Sequence, residues 1–94
     1  MNVQTSNESS LLRHSATLEH LGRTLVVLRR QRGMKQVEVA REAGIAKGKL
    51  SCYENGKVLP KLSSLERILG ALKVSFLDFF ATLAAVAEST VKKP

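Results

Sequence analysis

Leu18, Leu21, Leu25 and Leu28 recur at intervals of three and four, the spacing that lines one side of an α-helix. The pattern predicts a first helix from near Leu18, with Thr17 as its N-cap, running to Gly33. Its last turn carries Arg29, Arg30 and Arg32, which suit the negative end of a helix, and Met34 packs the bend. A second helix is predicted from Gln36 to Ala43, with Val39, Ala40 and Ala43 inward. Lys35 stands where a serine or threonine cap would be usual. Gly44 supplies the positive φ that stops this helix, and small Ala40 lets a neighbouring helix cross closely. A third helix follows from Lys47 to Glu54, with Leu50 and Tyr53 buried and Ile45 before it. Two short helices joined by so tight a turn are the helix-turn-helix arrangement.

Beyond it, Asn55 to Pro60 reads as a loop in which Gly56 stops the helix and Pro60 prevents its continuation. Leu62, Leu65, Ile68, Leu69 and Leu72 mark a fourth helix from Leu62 to Leu72. Ser75 and Asp78, three apart, form a variant capping box opening a fifth helix from Phe76 to about Ser89. Apolar residues wrap most of that last helix, so one side closes the core and the other needs a cover. A second copy of the chain is the simplest cover, with Phe76, Phe79, Leu83 and Val86 as the expected dimer interface. A membrane-surface helix would need a basic polar face, which this one lacks.

The expectation is therefore an all-α fold of five helices in one domain, residues 17–89. Residues 1–16 are rich in Ser, Asn, Thr and Gln and are expected to form a flexible arm, with a helical turn around Leu11 and Leu12 as an alternative within it, and 90–94 a flexible tail.

Charge changes the picture from fold to partner. The 94 residues carry a formal net charge of +7. The basic residues crowd between Arg23 and Lys61, opposed there only by Glu38, Glu42 and Glu54. A polyanion is the partner such a surface attracts. On the third helix, Lys47, Gly48, Lys49, Ser51 and Cys52 remain for the outside. Gly48 is a poor helix former that permits close backbone approach to DNA, or is merely tolerated in the first turn. Gln36, opening the second helix, is placed to donate to a phosphate.

One cysteine, Cys52, excludes an intrachain disulfide and a zinc-thiolate set, which fits a reducing cytoplasm. Cys52 reads as a small half-buried thiol, with a redox role at the DNA face as the alternative. His14 and His20 have no carboxylate cluster around them, so the sequence offers neither an enzyme nor a metal site, and it implies no cofactor. No apolar run reaches the roughly 18 residues that span a bilayer.

From Leu21 to Phe80 the chain resembles the lambda-repressor-like, Cro/C1-type (XRE-type) DNA-binding domain. The resemblance rests on Leu28-Arg29, Arg32-Gly33, Gln36, Ala40, Gly44, Leu50-Ser51, Tyr53-Glu54-Asn55-Gly56-Lys57, Pro60 and Ala71-Leu72 together. Its size and long fifth helix also resemble the small controller proteins of restriction–modification systems and small phage repressors. The resemblance implies that Gln36, Asn55, Lys57 and Lys61 hold DNA phosphates. It implies that Lys47, Gly48, Lys49, Ser51 and Cys52 face the bases, and that Arg29 and Glu54 form a structural ion pair. The expected function is a cytoplasmic, homodimeric regulator on a pseudo-palindromic operator, blocking or touching RNA polymerase. The alternative is an antitoxin or coactivator-like interaction module on the same scaffold. The chain departs from the family pattern in Ala46, where a Ser or Thr usually caps the third helix, and in having no glutamine or arginine at the base-facing positions.

Overall fold

The computed structural model describes residues 6–91, and side chains within 16–89. Five helices follow in order: α1 (Ser6–Gln31), α2 (Gln36–Ala43), α3 (Lys47–Glu54), α4 (Leu62–Leu72) and α5 (Phe76–Val91). The middle three coincide with their expected bounds. The first does not. It begins at Ser6 and runs straight through Thr17, which therefore is not its N-cap. No glycine or proline precedes Gly22, so nothing in the polar stretch breaks a helix once one has formed. Residues 1–5 of the expected arm and 92–94 of the expected tail lie outside the described residues.

The core joins one side of each helix: Leu21, Leu25 and Leu28 from α1, Val39, Ala40 and Ala43 from α2, Leu50 and Tyr53 from α3, and Leu65, Ile68, Leu69 and Leu72 from α4. Leu62, expected on this stripe, is instead 70% exposed at the first position of α4. Thr24 is fully buried, and its hydroxyl donates to the His20 carbonyl at 2.7 Å, so no polar group is orphaned.

Phe79 corrects the sequence reading most sharply. Expected on a dimer face, it is 0% exposed and belongs to the chain's own core. Phe76 and Leu83 also lean on that core, and Val86 is half-buried. Leu77, Phe80 and Ala84, each one residue further along, are exposed. A helix turns about 100° per residue, so a one-residue slip exchanges the inner stripe for the outer one. At the start of α5, the Ser75 hydroxyl accepts from the Asp78 amide at 3.0 Å, as the capping box requires.

Gly22 lies inside α1 where α3 ends against it. A Cβ built there would stand 2.5 Å from the Glu54 carbonyl oxygen and 2.7 Å from that of Tyr53. Neither atom can swing aside, since both are backbone. In an ordinary helix interior, Gly→Ala gains about 1 kcal/mol. Here Gly22→Ala is expected to lose about 2 kcal/mol by forcing two helices apart. Urea unfolding reads the sign directly, and a stabilised variant would contradict the close approach.

Candidate nucleic-acid interface

Two helices and a turn present α3 to solvent. Lys35 precedes α2, and its backbone N–H donates to the Glu38 carboxylate at 2.8 Å. That bond is the Glu38 half of a capping box; the half a serine or threonine would supply is missing. Gly44 closes α2 in the left-handed conformation, φ 72°, and its neighbour Ile45 donates back to the Ala40 carbonyl at 3.0 Å. The chain can then turn within three residues into α3. Ala46 stands at the N-cap of α3 in extended conformation and makes no side-chain cap bond.

Leu50, at 0% exposure, and buried Tyr53 anchor α3 to the body. This fixes what faces out. Lys47, Gly48 and Lys49 are exposed on the first turn, and Ser51 and Cys52 are half-buried behind them. Asn55, Lys57 and Lys61 are exposed along the loop after α3. The expected base-facing and loop residues thus lie on one continuous stretch. Within it, Asn55 Nδ2 donates to the Ser51 hydroxyl at 3.2 Å, tying an expected phosphate contact to an expected base reader.

The Arg29–Glu54 pair is present. Arg29 Nε donates to Glu54 Oε2 at 2.8 Å, and Nη2 to Oε1 at 3.2 Å, with side chains 14% and 4% exposed. Two parallel bonds from a planar guanidinium hold a carboxylate in orientation as well as place. Arg29 Nη1 also donates to the Met34 carbonyl at 2.9 Å, so the same side chain ties the α1–α2 bend to the end of α3.

Gln36 makes a contact that the sequence reading did not include. Its amide is half-buried and donates from Nε2 to Glu54 Oε1 at 2.7 Å. The sequence offered no signal for this bond, because the two residues lie on different helices and Gln36 reads equally well as solvated. Gly22 was also missed. Its signal was present, as an isolated glycine within a helical pattern.

Around Gly48 no atom beyond its chain neighbours and the local backbone of α3 lies within 4 Å of an added Cβ. Gly48→Ala is therefore expected to stabilise the fold by about 0.5 kcal/mol, through propensity alone. Should the same variant weaken DNA binding, the glycine serves close approach to the duplex; unchanged binding would make it a tolerated residue.

Among the described residues no three His, Cys, Asp or Glu side chains are grouped to hold a metal ion. No single described helix is long and apolar enough to cross a membrane.

A five-helix fold with a short second helix, a glycine turn and an outward third helix defines a helix-turn-helix protein. The sequence model of the helix-turn-helix domain family matches residues 20–77, and the chain belongs to that family of DNA-binding regulators, in its Cro/C1-type (XRE-type) form. Solved structures agree. The wild-type restriction–modification controller protein C.Esp1396I is 26% identical, with a TM-score of 0.71 over 74% of this chain and 92% of that one. Its tetramer in complex with its natural 35 base-pair operator matches at 25% identity and a TM-score of 0.72, over 76% and 93% of the chains. The clp gene regulator ClgR from Corynebacterium glutamicum is 25% identical, with a TM-score of 0.76 over 80% of each chain. No curated protein matches the sequence.

Proposed function

We propose that the protein is a transcriptional regulator that binds a pseudo-palindromic operator as a homodimer. Each copy places α3 in the major groove of double-stranded DNA, the two grooves lying roughly 34 Å apart. The observation that carries this reading is the orientation of α3: Leu50 and Tyr53 face the body while Lys47, Gly48 and Lys49 stand outward. Lys47 and Lys49 reach guanine edges, with Ser51 and Cys52 behind them against the groove wall. Asn55, Lys57 and Lys61, joined by Gln36, hold the flanking phosphates and give salt-dependent affinity. The exposed Leu77, Phe80 and Ala84 of α5 form the seam between copies. The operator complex of C.Esp1396I, a structural relative, supports this mode of action.

Selection from a pool of random duplexes tests the reading. The protein is expected to enrich one symmetric sequence, and Lys47→Ala to weaken binding to it about tenfold while changing scrambled duplex little. An equal loss on both would reassign Lys47 to phosphate contact, and no enrichment would defeat the reading. The exposed α5 stripe favours one rival: an antitoxin-like module that offers Leu77 and Phe80 to a different protein. A monomeric mass together with sequence-indifferent binding would select that rival.

A further inference from the structure

We propose that Asn55-Gly56 is a site of self-modification: when the loop after α3 opens, the Gly56 nitrogen attacks the Asn55 side-chain amide, and the carboxylate that results weakens the hold on DNA. The chemistry stands on this loop alone; its consequence rests on the DNA-binding reading above. An asparagine followed by glycine is the pair most open to this attack, because a residue without a side chain leaves its backbone nitrogen unshielded. Asn55 is also exposed. In the closed loop three features keep the reacting groups apart. Asn55 has ψ 5°, which turns the Gly56 nitrogen away from the Asn55 Cβ, so a five-membered ring closes only after that bond rotates. The Gly56 N–H donates to the Tyr53 carbonyl at 3.1 Å and the Lys57 N–H to the Cys52 carbonyl at 3.0 Å, and the rotation breaks both. The Asn55 amide is itself tied to the Ser51 hydroxyl at 3.2 Å.

Once the loop opens, the Gly56 nitrogen gives up its proton and bonds to the Asn55 Cγ. The Cγ–Nδ2 bond breaks, and ammonia leaves with that proton. Water then adds to either carbonyl of the five-membered imide and restores the Gly56 N–H. One opening leaves an aspartate side chain. The other routes the main chain through the side-chain carbons and lengthens it by one methylene. Both leave a carboxylate where the amide stood. Lys57 and Lys61 lie exposed on the same loop, so the new charge appears among the groups read as phosphate contacts. It repels a phosphate and offers the lysines a partner other than DNA. The chemistry is slow beside loop motion, so its rate follows the fraction of time the loop is open. A duplex that keeps the loop closed protects Asn55, and the free protein ages faster than the bound protein.

The test incubates the full chain at mildly alkaline pH, folded and in urea, and follows Asn55 by peptide mass spectrometry, with an isoaspartate methyltransferase marking the lengthened product. Asn55 is expected to convert in both, about tenfold more slowly in the folded chain. Asn2 and Asn7, followed by Val3 and Glu8, are the internal comparison and are expected to lag well behind it in urea. Conversion in urea alone, or at one rate in both conditions, overturns the proposal. The aged product, separated by ion exchange, and the Asn55→Asp variant are each expected to bind the duplex enriched from the random pool about tenfold more weakly than the parent. The unfolding midpoint of Asn55→Asp is expected to stay near that of the parent. Parent-like binding by both the aged product and the variant overturns the functional step. If the parent protein prefers no duplex, the DNA-binding reading fails and that step with it, whereas the ratio of folded to unfolded rates still decides the modification.

Discussion

Phe79→Glu is expected to abolish folding, whereas Phe80→Glu, one residue later, is expected to keep the fold and halve the mass in solution. Phe79 has no exposure to solvent and lies among the core residues. Removing such a ring costs about 3–5 kcal/mol. A carboxylate left in its place without a partner adds several more. Together these approach the roughly 5–15 kcal/mol that holds a small domain folded. Phe80 is 52% exposed, and its ring meets that of Phe79 edge to face at 5.2 Å between centroids. Losing that contact costs about 1 kcal/mol, which the fold can absorb. On the proposed reading, what Phe80→Glu removes is the apolar cover offered to a second copy. Leu77, at 78% exposure, lies on the same side of α5, so Leu77→Glu should act in the same way. Circular dichroism reads the fold and analytical ultracentrifugation the mass. A mass unchanged by both Leu77→Glu and Phe80→Glu would move the seam off α5.

Arg29→Ala is expected to destabilise the protein by about 3 kcal/mol, measured by urea unfolding, and to damage recognition of the enriched duplex further. The variant leaves the Glu54 carboxylate, only 4% exposed, with Gln36 as its remaining side-chain donor. An uncompensated buried charge is far more costly than the pair is stabilising. It follows that Arg29→Leu combined with Glu54→Leu should recover at least half of the lost stability, because no lone charge remains. Sequence discrimination should not return with it. Two leucines fill the space but do not fix the end of α3 in angle, and the Gln36 amide loses its acceptor. Full recovery of discrimination in the double variant would show that packing, rather than the ion pair, sets the tilt.

α2 and α3 were legible because a glycine with a mechanical reason to be there follows each. Gly44 and Gly56 adopt φ of 72° and 71°, the conformations that helix-stopping glycines supply. The Arg29–Glu54 pair was legible only through family resemblance, since twenty-five positions separate the partners. Two kinds of information were hidden. One is rotational: α5 is apolar almost all round, so periodicity could not tell its inner stripe from its outer one, and Phe79 was assigned to the wrong side. The other is the length of α1, where a polar composition resembled a coil although nothing in it forbids a helix. α4 also ends on Lys73, a non-glycine residue at φ 59°, where no glycine marks the stop. The carbonyl of that residue accepts from Arg32 at 3.1 Å, a bond between the ends of two helices that neither segment announces.

The absent side chain at position 22 sets how closely the end of α3 approaches α1, and so how far that end stands off the body. Grafting Lys47, Gly48, Lys49, Ser51 and Cys52 onto a relative with a larger residue at the equivalent place would transfer the chemistry without the elevation. On the proposed reading, the transplanted surface would meet the duplex with its far end displaced outward by about the thickness of a methyl group. That is enough to lengthen a direct hydrogen bond into one that a water must bridge.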